Sequence, residues 1–298
     1  TAVLDVIRLL TPENDFPRLC LEVVYELREQ LEVFHSPESQ TAMEQRNKEM
    51  ETLDAEILRL EKRGLASEEE LEAKKNQLEV LFNESQALDT LEEFVGLRCL
   101  KITSTLFGDY NNLRVDVAIQ GLYQSVVHPA LQSDFAAIRS AGFECLGLYA
   151  TQNVELSKKH LPIFCAAIEH DETVVRESAL MTLFDMVALW SKLKKPVQEG
   201  ETEDLGYEME TDALIELLLT FLENPIVAQN EPTLRAKAVE GFTKLLVHNA
   251  IRSEDTTIEV LSQLFLQLFD ANLAIPLVTQ CLTVFFQGYS RTHPRYQA

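Results

Sequence analysis

His160, Cys165 and His170 are the nearest approach in this sequence to a catalytic or metal-binding cluster. Spaced five residues apart, they lie about 140° apart around a helix and cannot converge on one ion. They read as structural. The run Glu68-Glu69-Glu70 suits a helix N-terminus, where negative charge complements the dipole, rather than a pair of acid catalysts. HExxH, GxSxG and Walker loops do not occur in the sequence, so metal-hydrolase, acyl-transfer and nucleotide chemistry find no recognisable centre. Gly142 and Gly147 sit in an apolar run and suit close helix packing better than a phosphate cradle. The chain does not read as an enzyme, and no catalytic residue, metal or cofactor is expected.

Two basic clusters remain: Lys158-Lys159-His160, and Lys192 with Lys194 and Lys195. A solvated face is their simplest reading. The sharper one, for Lys158, Lys159, Lys192, Lys194 and Lys195, is contact with a partner or with DNA phosphates. A few lysines alone bind weakly at physiological salt. Against them stands a formal charge of −22, from 48 acidic and 26 basic residues. Such a surface repels phosphate at long range, so DNA binding by this chain alone is expected to be weak or absent. Thr11-Pro12 and Ser36-Pro37 are minimal proline-directed kinase sites that also serve as turns or helix starts.

These side chains must be positioned by helices. Apolar residues make up 46% of the 298, while Gly and Pro number 10 each, so breakers are sparse and long elements follow. Cys20, Cys99, Cys145, Cys165 and Cys281 are scattered through apolar stretches without a CxxC, the pattern of buried reduced thiols. No apolar run is long enough to span a bilayer, and no membrane role is expected. The chain starts at Thr1 without methionine and reads as a piece of a longer protein.

Three regions are expected. Leading helices occupy 1–40, with Leu19, Val23, Val24, Leu27 and Leu31 at helical spacing before the break at His35-Ser36-Pro37. A charged antiparallel hairpin, or else an ordinary repeat with charged helices, occupies 41–88. Its narrow seams run through Met50, Leu53, Ile57 and Leu60, and through Leu71, Leu78, Leu81 and Leu88, the spacing of a coiled coil. Gly64 as C-cap and the capping box Ser67–Glu70 form its turn. Shorter, more apolar helices fill 89–298, near 89–107, 112–127, 134–150, 155–169, 172–192, 211–223, 232–248, 256–270 and 275–289. A flexible polar insertion is expected at about 193–210.

The last region repeats itself. Ile138-Arg139-Ser140-Ala141, Val175-Arg176-Glu177-Ser178-Ala179 and Leu234-Arg235-Ala236-Lys237-Ala238 share an apolar residue, an arginine and small residues in the first helix of a pair. Leu97-Arg98 lies 41 residues before Arg139. A period near 40 residues built from helix pairs marks a HEAT or armadillo solenoid. One pair cannot bury its apolar face alone, so copies stack. The expected fold is an all-α HEAT-repeat superhelix carrying an N-terminal charged hairpin.

Residues 126–190 resemble the condensin G-type HEAT-repeat subunit family, in its C-terminal half. The resemblance rests on Val127-His128-Pro129-Ala130, Arg139, Cys145-Leu146-Gly147-Leu148, Glu177-Ser178-Ala179-Leu180 and Leu183-Phe184-Asp185. It is tight over about 65 residues and looser over about 200, leaving the hairpin and the insertion unmatched. It implies structural roles for Pro129, Arg139, Cys145, Gly147, Arg176, Asp185 and Arg235. It also implies a non-catalytic scaffold that binds the condensin kleisin and, through it, the SMC ATPase subunits. Double-stranded DNA would be engaged in the full complex, in the nucleus, on chromosomes and in the cytoplasm for part of the cell cycle. Another acidic HEAT scaffold, a nuclear-transport receptor or a phosphatase scaffold, is the alternative.

Overall fold

The computed structural model describes residues 4, 6–7, 15–34, 36–63, 68–108, 117–152, 154–193, 205–224, 230–269 and 275–292. All regular structure among them is helical. They fall into two compact units, divided after Ala130.

The first unit holds α1 (Asp15–Phe34), α2 (Pro37–Arg63), α3 (Glu68–Gly108) and α4 (Val117–Leu122). From α4 the chain runs on through a π-helical turn, Tyr123–Val127, into a last turn, His128–Ala130. Ser36 accepts a hydrogen bond from the Ser39 N–H (3.2 Å), capping α2, while Pro37 supplies a first residue that needs no amide partner. Leu53 and Ile57 of the expected seam are buried, and α2 packs on α3. Ion pairs Lys74–Glu56 and Lys75–Glu61 (2.6 Å) cross the two helices. The expected caps at Gly64 and Ser67 lie outside the described residues.

The expected boundary at 88–89 falls inside α3, which is unbroken for 41 residues. No glycine or proline interrupts residues 68–95. The same seam that meets α2 continues into buried Val95, Cys99 and Leu100, and α1 also packs on α3.

The second unit contains α5 (Ala136–Ala150), α6 (Val154–His170), α7 (Thr173–Leu193), α8 (Leu205–Glu223), α9 (Pro232–Val247), α10 (Glu254–Phe269) and α11 (Pro276–Thr292). The first helices of successive pairs stack in order, α5 on α7, α7 on α9 and α9 on α11. The second helices back them, α6 against α7, α8 against α9 and α10 against α11. This is the solenoid pattern expected. Helix α8 begins at Leu205, so residues 205–210 of the expected insertion are helical; residues 194–204 lie outside the described set.

The stack keeps a strict register. Counted from each helix start, residue twelve of one first helix meets residue ten of the next: Gly147 faces Thr182, and Phe184 faces Gly241. A Cβ on either glycine would overlap the facing side chain. Phe184 and Phe242 meet edge to face at 5.0 Å, as do Phe143 and Phe164 at 5.6 Å. Ser140 and Ser178 bridge α5 and α7 through their hydroxyls at 2.8 Å.

Candidate interaction surface

Each repeat arginine is the fourth residue of its helix: Arg139 in α5, Arg176 in α7 and Arg235 in α9. Arg139 donates from Nη2 (2.7 Å) and Nε (3.2 Å) to Asp171 Oδ1, and from Nη1 to the carbonyls of Ser133 (2.8 Å) and Asp134 (3.0 Å). Asp171 lies just before α7, so the arginine of one repeat holds the entrance of the next. Arg176 repeats the device, pairing with Glu231 just before α9 and donating from Nε to the Ile168 carbonyl (2.8 Å). Arg235 is fully buried.

Burial alone would raise the Asp171 pKa, but hydrogen bonds from Arg139 and from the Glu172 N–H, with the Arg139 charge, outweigh it and hold it below the ordinary value. The same Asp171 hydrogen bond raises the Arg139 pKa. These arginines are committed to the stack rather than offered to a ligand. Sequence reading missed their partners, although the signal was there. Asp134, Asp171 and Glu231 precede Arg139, Arg176 and Arg235 by five, five and four residues.

Among the other motif residues, Cys145 and Gly147 are buried, and Pro129 is exposed. Asp185 pairs with Lys244 across α7 and α9. His160, Cys165 and His170 diverge. His160 is buried edge-on to Tyr149 at 6.0 Å, and burial, then the Lys159 charge, lower its pKa. Cys165 is half-buried, its thiol pKa raised by burial and then by Glu169. His170 is exposed beside Glu169. Of the five cysteines only Cys20, Cys99 and Cys145 are buried; Cys165 and Cys281 are half-buried. Burial pushes the Cys99 thiol up to about 11, far from thiolate character.

The fold brings the helices that carry the two lysine clusters, α6 and α7, into contact. Trp190 Nε1, near the end of α7, donates to Ser157 Oγ in the first turns of α6 at 2.7 Å. Lys158 and Lys159 follow that serine directly, and Lys192 lies two residues after the tryptophan. Arg252, which the sequence reading overlooked, joins them by donating from Nη2 to the Ser191 carbonyl (3.2 Å). Lys159, Lys192 and Arg252 are exposed and Lys158 half-buried; Lys194 and Lys195 lie outside the described residues. Lys158, Lys159, Lys192 and Arg252 therefore stand on neighbouring stretches of backbone in a strongly acidic chain.

Among the described residues, stacked helix pairs tied one to the next by arginines define the class of HEAT-type helical scaffolds. Residues 98–298 match the family model described as nuclear condensing complex subunits, C-term domain. The chain belongs to that family, which sets aside the nuclear-transport and phosphatase scaffolds. Among curated relatives is condensin complex subunit 3 of Schizosaccharomyces pombe, 27% identical over 292 residues, covering 95% of this chain and 30% of that protein. The Xenopus laevis protein of the same name is 24% identical over 276 residues, covering 82% of this chain and 24% of its own length. The human one is 24% identical over 193 residues, covering 59% and 18%. The chain therefore spans less than a third of these relatives. It shares its fold with the crystal structure of the S. pombe condensin Cnd3–Cnd2 subcomplex, at a TM-score of 0.52 and 21% identity, over 98% of this chain and 42% of the other.

Proposed function

We propose that this chain is the C-terminal-half portion of a G-type condensin subunit, a scaffold without catalytic groups. Its stacked helices hold a segment of the kleisin subunit and, through it, join the SMC ATPases on chromosomes in the nucleus, with a cytoplasmic pool for part of the cell cycle. The observation that carries this reading is the family match, whose residues 98–298 include the whole repeat stack α5–α11. The partner reading is supported by the solved neighbour, a complex of Cnd3 with Cnd2, with Cnd2 taken here as the kleisin.

Lys158, Lys159 and Lys192, with Arg252 near them along the backbone, would form a basic corner at which the scaffold touches duplex DNA once the kleisin supplies further positive charge. With a net of −22, the chain alone repels the duplex, and local lysines act only at short range. The test is fluorescence anisotropy of a labelled duplex with this chain plus a kleisin segment, as a function of salt. Lys158→Glu, Lys159→Glu and Lys192→Glu together should weaken binding and reduce the log–log salt slope by about 3. An unchanged slope would assign the corner to a solvated face.

A further inference from the structure

Helix α3 carries two seams. One, through Val95 and Cys99, is buried within the first unit. The other runs through Val80, Glu84, Ala87, Leu91, Phe94, Arg98 and Lys101, alternating steps of four and three. This is the spacing of a helix-pairing stripe, about 32 Å long at the helical rise. Every one of these residues is exposed. The large apolar ones are about half uncovered: Val80 56%, Leu91 47% and Phe94 49%.

The order of residues along the stripe says what fits it. Acid lies at its N-terminal half (Glu84) and base at its C-terminal half (Arg98, Lys101), with Leu91 and Phe94 between. A parallel copy would set like charges side by side. An antiparallel copy sets opposite charges together, and a two-fold axis makes both halves identical.

We propose that α3 pairs antiparallel with α3 of a second copy of this chain, about a two-fold axis between Leu91 and Phe94. In that register Leu91 packs against Phe94 of the copy, and Glu84 lies against its Lys101. Ala87 lies against Arg98 of the copy, a small residue leaving room for a long one. The Arg98 guanidinium sits 3.9 Å from the centroid of its own Phe94 ring, a cation–π contact that holds it beside the apolar centre. The net charge of −22 opposes association at long range, so pairing belongs at physiological ionic strength, where the Debye length is about 8 Å.

The test is sedimentation equilibrium of the 298-residue chain and of single variants, each checked for unchanged helicity. The wild-type mass should rise from 33.8 kDa toward twice that with concentration. Glu84→Lys and Lys101→Glu each put like charges face to face and should weaken self-association about tenfold or more. Mixed together, the two variants restore both opposite-charge pairs and should associate as wild type does. A wild-type chain that stays monomeric to roughly 100 µM, the weak range of specific binding, would overturn the proposal. So would single variants that dimerise unchanged, or a mixture that fails to recover.

Discussion

Arg139 joins three pieces of backbone that no local helix interaction could join. Its guanidinium reaches the loop before its own helix and, at 2.7 Å, the carboxylate that opens the next repeat. Both side chains are mostly buried, at 15% and 19% exposure, so solvent screens the pair less than a surface ion pair. Removing the acid leaves a guanidinium short of its charged partner, and hydrogen bonds to charged groups carry about 1.5–3 kcal/mol. Asp171→Asn should therefore lower unfolding stability by about 2 kcal/mol near neutral pH. The folded pKa of Asp171 lies below 3.8, so its stabilisation is complete above that value and is lost as the pH falls through the folded one. Urea denaturation of both chains should show the gap at neutral pH and its disappearance in acid. A gap that persists would place the effect elsewhere than in this carboxylate.

At the scale of elements, repeat packing depends on where volume is withheld. Gly241 lies under the fully buried Phe184 ring, and Gly147 lies under Thr182, whose branched side chain is pinned by a 3.1 Å bond to the Ser178 carbonyl. Alanine is the better helix former by about 1 kcal/mol, yet overpacking a filled core costs about 1–3 kcal/mol. Gly241→Ala should lower the melting temperature, and Phe184→Leu in the same chain should recover part of that loss relative to Phe184→Leu alone. Additive effects in this double-mutant cycle would mean that the two residues do not meet. Helix existence was legible because 3.6-residue periodicity and sparse breakers agree over long stretches. Arg139, Arg176 and Arg235 exposed the stack because each is the fourth residue of its helix, whereas Arg98, which fits the same spacing, lies deep inside α3. The end of the hairpin was not legible: a drop in charge near residue 89 marks a change of neighbours, not a break in the backbone. Gly241 was missed because Lys237 and Glu240 make its surroundings read as a solvated face. That the two lysine clusters lie on helices in contact was not legible, since the Trp190–Ser157 bond between those helices spans 33 residues.

At the scale of the molecule, charge and shape divide the labour. The chain's net charge of −22 favours dispersion and repels a phosphate backbone at long range. Under the proposed function, a partner that bridges stack and DNA brings its own positive charge, as an extended segment laid along successive repeats would. The central claim is that this partner is a kleisin. Calorimetric titration of the 298-residue chain with a segment of a Cnd2-type kleisin tests it most directly, with a basic nuclear-targeting peptide of similar length as the control. The account predicts saturable one-to-one binding of the kleisin segment and no comparable heat from the control. Binding of the control with none of the kleisin segment would contradict it, and would make the stack a receptor for basic cargo.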